Sequence, residues 1–206
     1  MSHHVYTTPG FIIDSRTSGE AGKVLYIFTK DLGLVVATAQ GLRQNLSKLR
    51  YHTQDFTYGT YSLVRGKEMW RLVGAGPVGD VSEYTRAQTI NQLHFLRARI
   101  FALLKRFLHG EEPNPELFEI LAGLDGFIHG GEVVDDEVDS LECLSVLRIL
   151  YSLGYIDASS KLRAGLAKFF EKNAKSVWSH DTLREVKESR ALAIQAINEG
   201  LKASHL

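Results

Sequence analysis

This sequence has a single cysteine, no membrane-length apolar run and no excess of one charge. Cys143 is the only cysteine, which excludes an internal disulfide and a cysteine-based zinc site and suits a reducing cytoplasm. No run approaches the roughly 18 apolar residues that a membrane span requires. Asp14, Arg16 and Glu20 lie where a secretory signal peptide needs an apolar core. These absences predict a cytoplasmic protein that does not enter a membrane.

Charge is balanced over the whole chain but not along it. The formal net charge is zero, so composition gives no argument for a polyanionic partner. Residues 1–80 contain nine Lys or Arg and six Asp or Glu, whereas residues 81–206 contain three more acids than bases. This asymmetry favours a nucleic-acid-binding face in the first half.

Patterns typical of catalysis are missing too. No serine lies in a G-x-S-x-G motif. Residues 74–79 match G-x-G-x-x-G after a strand, but no βαβ unit follows and Pro77 removes an N–H that would face a phosphate. We interpret this stretch as the link between the two halves of the chain. The sequence predicts no enzyme and no cofactor.

Metal-ligand spacing is also missing. His52, His94, His109 and His129 are scattered. The acidic run of residues 135–139 could hold a hard cation, but acids at a helix start commonly offset its partial positive charge. Cys143 lies beside Leu144, where a small buried thiol is the default. We therefore predict no metal site.

The clearest local signal is a β-hairpin followed by a basic loop. Val24–Thr29 and Leu34–Ala39 are rich in β-branched and aromatic residues, and Gly33 lies in the turn between them. Arg43, Lys48 and Arg50 then follow without an acid. Such a loop can hold a phosphate backbone, although an ordinary solvated loop is an equal alternative.

Further strands are predicted at Phe11–Ser15, Phe56–Val64 and Met69–Val73, with no helix pattern among them. Five short strands in about 65 residues indicate a small antiparallel barrel. Tyr58, Tyr61 and Trp70 can be buried or presented by it, and core packing is favoured.

Beyond residue 80 the apolar spacing becomes helical. Helices are predicted near residues 90–108, 114–127, 135–154, 159–170 and 182–204. The chain is therefore divided into a barrel domain, residues 1–80, and an all-α helical domain, residues 81–206.

The order of these features resembles the RecO family of bacterial recombination mediators. The stretches that carry the likeness are Gly19–Gly41, Gly41–Arg43 with Ser47–Lys48, Glu112 with Glu116–Phe118, and Leu147–Tyr155, which ends in leucine-glycine-tyrosine. The family commonly has a zinc-binding cysteine cluster after that ending. Residues 157–180 replace it here without cysteine, so the chain resembles a zinc-free variant. Gln40 and Gln44 also thin the basic segment.

The resemblance implies a five-stranded OB-fold β-barrel followed by an all-α helical domain. It implies a DNA repair and recombination mediator that binds single- and double-stranded DNA, anneals strands coated by single-strand-binding protein and, with RecR, helps load RecA. Such a protein would be cytoplasmic and nucleoid-associated. The predicted DNA-binding residues are Arg16, Lys23, Arg43, Lys48, Arg50, Arg65, Lys67 and Arg71. The alternative function is an OB-fold protein–protein adaptor with little DNA binding; an enzyme with an unrecognised site ranks last.

Overall fold

The structure, a computed structural model, describes residues 4–20, 22–40, 49–78, 87–130, 133–156, 165–171, 173 and 176–204. The strands are β1 Val5–Ser18, β2 Gly22–Thr29, β3 Gly33–Ala39, β4 Tyr58–Arg65 and β5 Trp70–Gly76. The helices are α1 Leu49–His52, α2 Ala87–Phe107, α3 Pro115–His129, α4 Val138–Ser152, α5 Ala167–Glu171, α6 His180–Glu188 and α7 Arg190–Ala203, with a 3-10 turn at Asp135–Glu137 before α4.

The five strands form a closed barrel in the order β1-β2-β3-β5-β4. Four of its ladders are antiparallel, but β3 and β5 pair in parallel through Ala37 with Trp70 and Thr38 with Arg71. Strand spacing predicted a wholly antiparallel barrel, and this prediction is wrong for the β3–β5 pair, which is parallel. The predicted class, an OB-fold barrel followed by helices, is confirmed.

Alternation along the strands places the barrel core. Every second residue of β3, from Gly33 to Ala39, is buried, and those between are only partly covered. The interior is filled mainly by aliphatic and aromatic side chains, which are Ile12, Leu25, Ile27, Val35, Ala37, Ala39, Tyr61, Leu63, Trp70 and Leu72.

Two barrel segments differ from the sequence prediction. β1 begins at Val5 rather than Phe11, because residues 5–11 pair with β4 from Val64 to Tyr58. Gly74–Gly76 belong to β5 and do not form a link, since they pair with Ser62, Tyr61 and Thr60. Ladder hydrogen bonds here outweigh the weak strand propensity of glycine.

The chain divides into two compact units, and one boundary between them falls within α2. Residues 1–83 and 101–115 form one unit, and residues 84–100 and 116–206 form the other. The end of α2 therefore belongs to the barrel unit. Phe101 stacks on Phe56 with ring centroids 5.5 Å apart and lies 5.9 Å from the Phe11 ring. The boundary near residue 80 stays a prediction, since residues 79–86 lie outside the described ranges.

After α2, residues 108–114, which we term the closing segment, continue along the barrel. The Leu34 amide donates to the Gly110 carbonyl at 3.1 Å. Farther on, Glu111 accepts from Arg65 at 2.8 Å and from the Trp70 indole at 2.9 Å. The segment thus joins the β2–β3 turn to the ends of β4 and β5.

In the second unit, acidic residues in the first turn of α4 and in the 3-10 turn before it contact basic side chains of α6 and α7. Glu137 pairs with His180 at 2.8 Å, Asp136 with Lys187 at 3.3 Å and Asp139 with Arg190 at 3.1 Å. The last helix was predicted as one element, but it is divided at Ser189 into α6 and α7. These ion pairs give the acids a structural partner.

Candidate nucleic-acid interface

Arg16 and Arg71 lie on one cross-strand row on the outside of the barrel. Arg16 pairs with Val24, Val24 with Thr38, and Thr38 with Arg71. Paired residues share a face of the sheet, and the neighbours Leu25 and Ala37 face the core. Both arginines are exposed. Three inter-strand spacings separate them, roughly 14 Å along the sheet.

The turn between β4 and β5 adds Lys67, which is exposed. Lys67 lies between the end of β4 at Arg65 and the start of β5 at Trp70. Arg71 is the second residue of β5. Lys67 and Arg71 therefore place positive charge at one edge of the outward row, and Arg16 places it at the other.

Lys23 and Arg65 do not lie on the outward row of Arg16 and Arg71. Each is two residues from a core residue of its own strand, Leu25 and Leu63 respectively. The Lys23 ammonium donates to the Ser15 hydroxyl at 3.3 Å. Arg65 lies over the Trp70 ring, 5.2 Å from its centroid, and pairs with Glu111. Arg65 stays mostly exposed, with 65% of its side chain accessible, so a phosphate would compete with Glu111 for it.

The basic loop gives less information. Arg43 and Lys48 lie outside the described residues, and only the backbone of Arg50, in α1, is described. The assignment of all eight cations to DNA binding stays a prediction. What the structure adds is that Arg16, Lys67 and Arg71 are exposed at the barrel surface.

Tyr26 and Lys105 join this surface and were missed from sequence. The Arg16 guanidinium lies 5.6 Å from the centroid of the Tyr26 ring, and the Lys105 ammonium lies 5.4 Å from it. Both cations also contact the same oxygen of Asp14, Arg16 at 3.9 Å and Lys105 more closely. Alternation with buried Leu25 is the one signal that could have marked Tyr26 as outward-facing.

The aromatic residues singled out from sequence pack in the barrel, as favoured. Tyr61 is fully buried and donates to the carbonyls of His52 and Thr57, both at 3.2 Å. Burial raises the pKa of its hydroxyl. Tyr58 stacks on Phe11 with ring centroids 4.4 Å apart. Trp70 is also buried, whereas Tyr58 is half-buried.

Metal-ligating side chains and the single cysteine bear on metal and thiol chemistry. No cluster of three His, Cys, Asp or Glu with metal-binding geometry occurs among those residues. Burial raises the pKa of the Cys143 thiol to about 11, which keeps it protonated and unreactive near neutral pH. Among the same residues, no helix is both long and apolar enough to span a membrane.

Comparison with known proteins identifies relatives of this barrel. The family model described as Recombination protein O N terminal matches residues 1–79. A DNA repair protein RecO of Heliobacterium modesticaldum is 32% identical over 151 residues, which cover 73% of this chain and 52% of that protein.

A second protein of the same name, from Dehalococcoides mccartyi strain 195, is 30% identical over 118 residues, covering 57% of this chain and 46% of that protein. The chain thus matches about half the length of these curated relatives.

Proposed function

Since the chain belongs to the RecO family, as its N-terminal domain and its relatives show, we propose that it acts in DNA repair by binding DNA on the outer face of its barrel. The observation that carries the proposal is the row from Arg16 to Arg71, which puts an exposed cation at each end of a cross-strand row on the outside of the barrel. OB-fold barrels bind oligonucleotides on the face of β2 and β3 and on the flanking loops.

The finer proposal is that the protein mediates recombination without being an enzyme. It binds single- and double-stranded DNA, anneals strands coated by single-strand-binding protein, and works with RecR to load RecA. Physically, a barrel that grips the phosphate backbone leaves bases free to pair, and base pairing then supplies the driving force. No bond is made or broken by the protein, so no catalytic group is required. We place it in the cytoplasm, associated with the nucleoid.

Fluorescence anisotropy with a labelled single-stranded oligonucleotide tests DNA binding. Each phosphate contact contributes about −0.7 to the slope of log K against log salt for single strands. The exposed cations Arg16, Lys67 and Arg71 alone predict a slope of about −2, or roughly a twentyfold loss between about 50 and about 200 mM salt. Contacts from Arg43, Lys48 and Arg50 would steepen the slope to about −4.

Charge reversal separates the basic loop from the barrel face. The double variant Arg43→Glu and Lys48→Glu is expected to weaken binding at low salt and flatten the slope; unchanged affinity would remove the loop from the site. A wild-type protein with no salt-dependent DNA affinity would contradict the proposed function and favour the adaptor. An annealing assay on complementary strands coated with single-strand-binding protein then tests the mediator role.

A further inference from the structure

We propose that Arg16 and Lys105 form a phosphate clamp on the barrel, that Tyr26 holds its two cations in place, and that Asp14 occupies it when no nucleic acid is bound. This inference rests on the proposed function and extends it, because it assigns a residue of α2 to the nucleic-acid face. The four residues all lie in the barrel unit.

The two cations already bind one anionic oxygen. Asp14 Oδ2 is contacted by Arg16 Nε at 3.9 Å and by the Lys105 ammonium. A non-bridging phosphate oxygen has the same charge and the same hydrogen-bonding demand as this carboxylate oxygen. Their geometry therefore suits a phosphate in the position of Asp14.

Tyr26 contacts both cations. Both cations lie within 6 Å of its ring centroid, the range in which the ring quadrupole attracts a positive charge. Arg16 reaches it from β1 and Lys105 from the end of α2. Because the ring attracts both side chains, it limits the freedom that they would lose on binding a phosphate.

Both cations are more accessible to solvent than the carboxylate that they contact. Arg16 exposes 64% of its side chain and Lys105 exposes 37%, whereas Asp14 exposes 27%. A surface carboxylate paired with exposed cations gains little from the pairing. A polyanion that also contacts Arg71, on the same outward row as Arg16, can therefore displace it. This continuity favours nucleic acid over an acidic peptide as the ligand.

Matched variants of the full chain test the clamp with a labelled oligothymidylate over a range of salt concentrations. Lys105→Gln is expected to flatten the salt slope by about 0.7, which corresponds to about fivefold weaker binding near 0.1 M salt. Arg106→Gln removes the same charge from the next residue, which is exposed, and is expected to leave the slope unchanged.

Asp14→Asn is expected to tighten DNA binding, because a neutral amide competes less than a carboxylate with the phosphate for Arg16 and Lys105. Asp31→Asn makes the same change of charge in the exposed β2–β3 turn and serves as its control. Tyr26→Leu is expected to weaken binding about two- to fivefold, whereas Tyr26→Phe keeps the ring and the affinity. Thermal unfolding followed by circular dichroism verifies that each variant is folded, and Lys105→Arg keeps the charge if Lys105→Gln unfolds.

The outcomes separate the two proposals. Absence of salt-dependent binding by the wild-type protein overturns the proposed function. If the wild type binds with a steep slope, equal behaviour of Lys105→Gln and Arg106→Gln, or of Asp14→Asn and Asp31→Asn, overturns the clamp alone. Variants that alter affinity for a labelled acidic peptide but not for the oligonucleotide also overturn it, since the clamp would then serve a protein partner.

Discussion

Replacing Gly33 by alanine tests whether the closing segment is part of the barrel. Gly33 has φ of +71°, a left-handed conformation that costs a residue with a Cβ about 1–2 kcal/mol. A Cβ at this position would also overlap the Glu112 carbonyl oxygen and lie 2.5 Å from its carbonyl carbon and amide nitrogen. These atoms are backbone, so the closing segment itself would have to move.

The cost can be worked out from those contacts. Moving the segment strains the hydrogen bond from the Leu34 amide to the Gly110 carbonyl. This bond is 3.1 Å long and contributes about 1 kcal/mol. Overpacking adds about 1–3 kcal/mol. With the conformational cost, Gly33→Ala should destabilise the barrel unit by about 3–6 kcal/mol, a large share of the stability of a typical domain.

Gly19→Ala is the matched control. Gly19 also has a positive φ, +62°, but a Cβ there meets nothing within 4 Å. Its substitution should therefore cost only the conformational part, about 1–2 kcal/mol. The difference between the two variants isolates the contact with the closing segment.

Urea unfolding followed by tryptophan fluorescence measures both variants. The chain has two tryptophans, so a Trp178→Phe background makes Trp70, whose indole donates to Glu111, the reporter of the barrel unit. The reasoning is refuted if Gly33→Ala costs no more than Gly19→Ala, because the closing segment would then not lie against the turn.

Two further results are expected. Glu111→Gln should leave the Trp70 indole bonded but weaken the pairing with Arg65, so we expect a loss of stability below about 1 kcal/mol and a gain in DNA affinity at low salt; weaker DNA binding would contradict this. Hydrogen bonding and charge from Asp125 raise the pKa of His129 against the opposing effect of burial, so His129 should stabilise its unit below the unfolded pKa of about 6.5 and lose that contribution as pH rises through the folded pKa. Urea midpoints at about pH 6 and about pH 8 should therefore differ more for the wild type than for His129→Asn, and equal differences would show that His129 is not the group responsible.

Local patterns were enough to predict the barrel. The β2–β3 hairpin is set by residues within a few positions of one another, and its register pairs Thr29 with Gly33 as the turn glycine requires. The side-chain hydroxyl of Thr29 also accepts from the Leu32 amide at 3.1 Å and donates to the Gly33 carbonyl at 2.9 Å. These two bonds are local, which is why the turn can be predicted from sequence, whereas its bonds from Lys30 to the Pro9 carbonyl and from Leu34 to the Gly110 carbonyl cannot.

Long-range contacts explain what could not be predicted. Lys105 and Asp14 are 91 residues apart, so no spacing rule links them, and the helical period of α2 says nothing about where its end packs. α1 has only four residues, too few for a helical period to be recognised. The division at Ser189 leaves the periodic pattern almost intact, because the Ser189 amide still bonds to the Glu185 carbonyl at 3.1 Å.

Two carboxylates outside the predicted site, those of Asp14 and Glu111, pair with cations of the barrel unit. Arg16 shares Asp14 with Lys105, and Arg65 is paired with Glu111. A count of basic residues therefore overestimates the positive charge that is free to meet a phosphate. Each of these acids has to be displaced by the ligand, which makes binding weaker than the number of cations implies. Neutralising Asp14 and Glu111 together should accordingly tighten DNA binding more than adding two positive charges elsewhere on the chain.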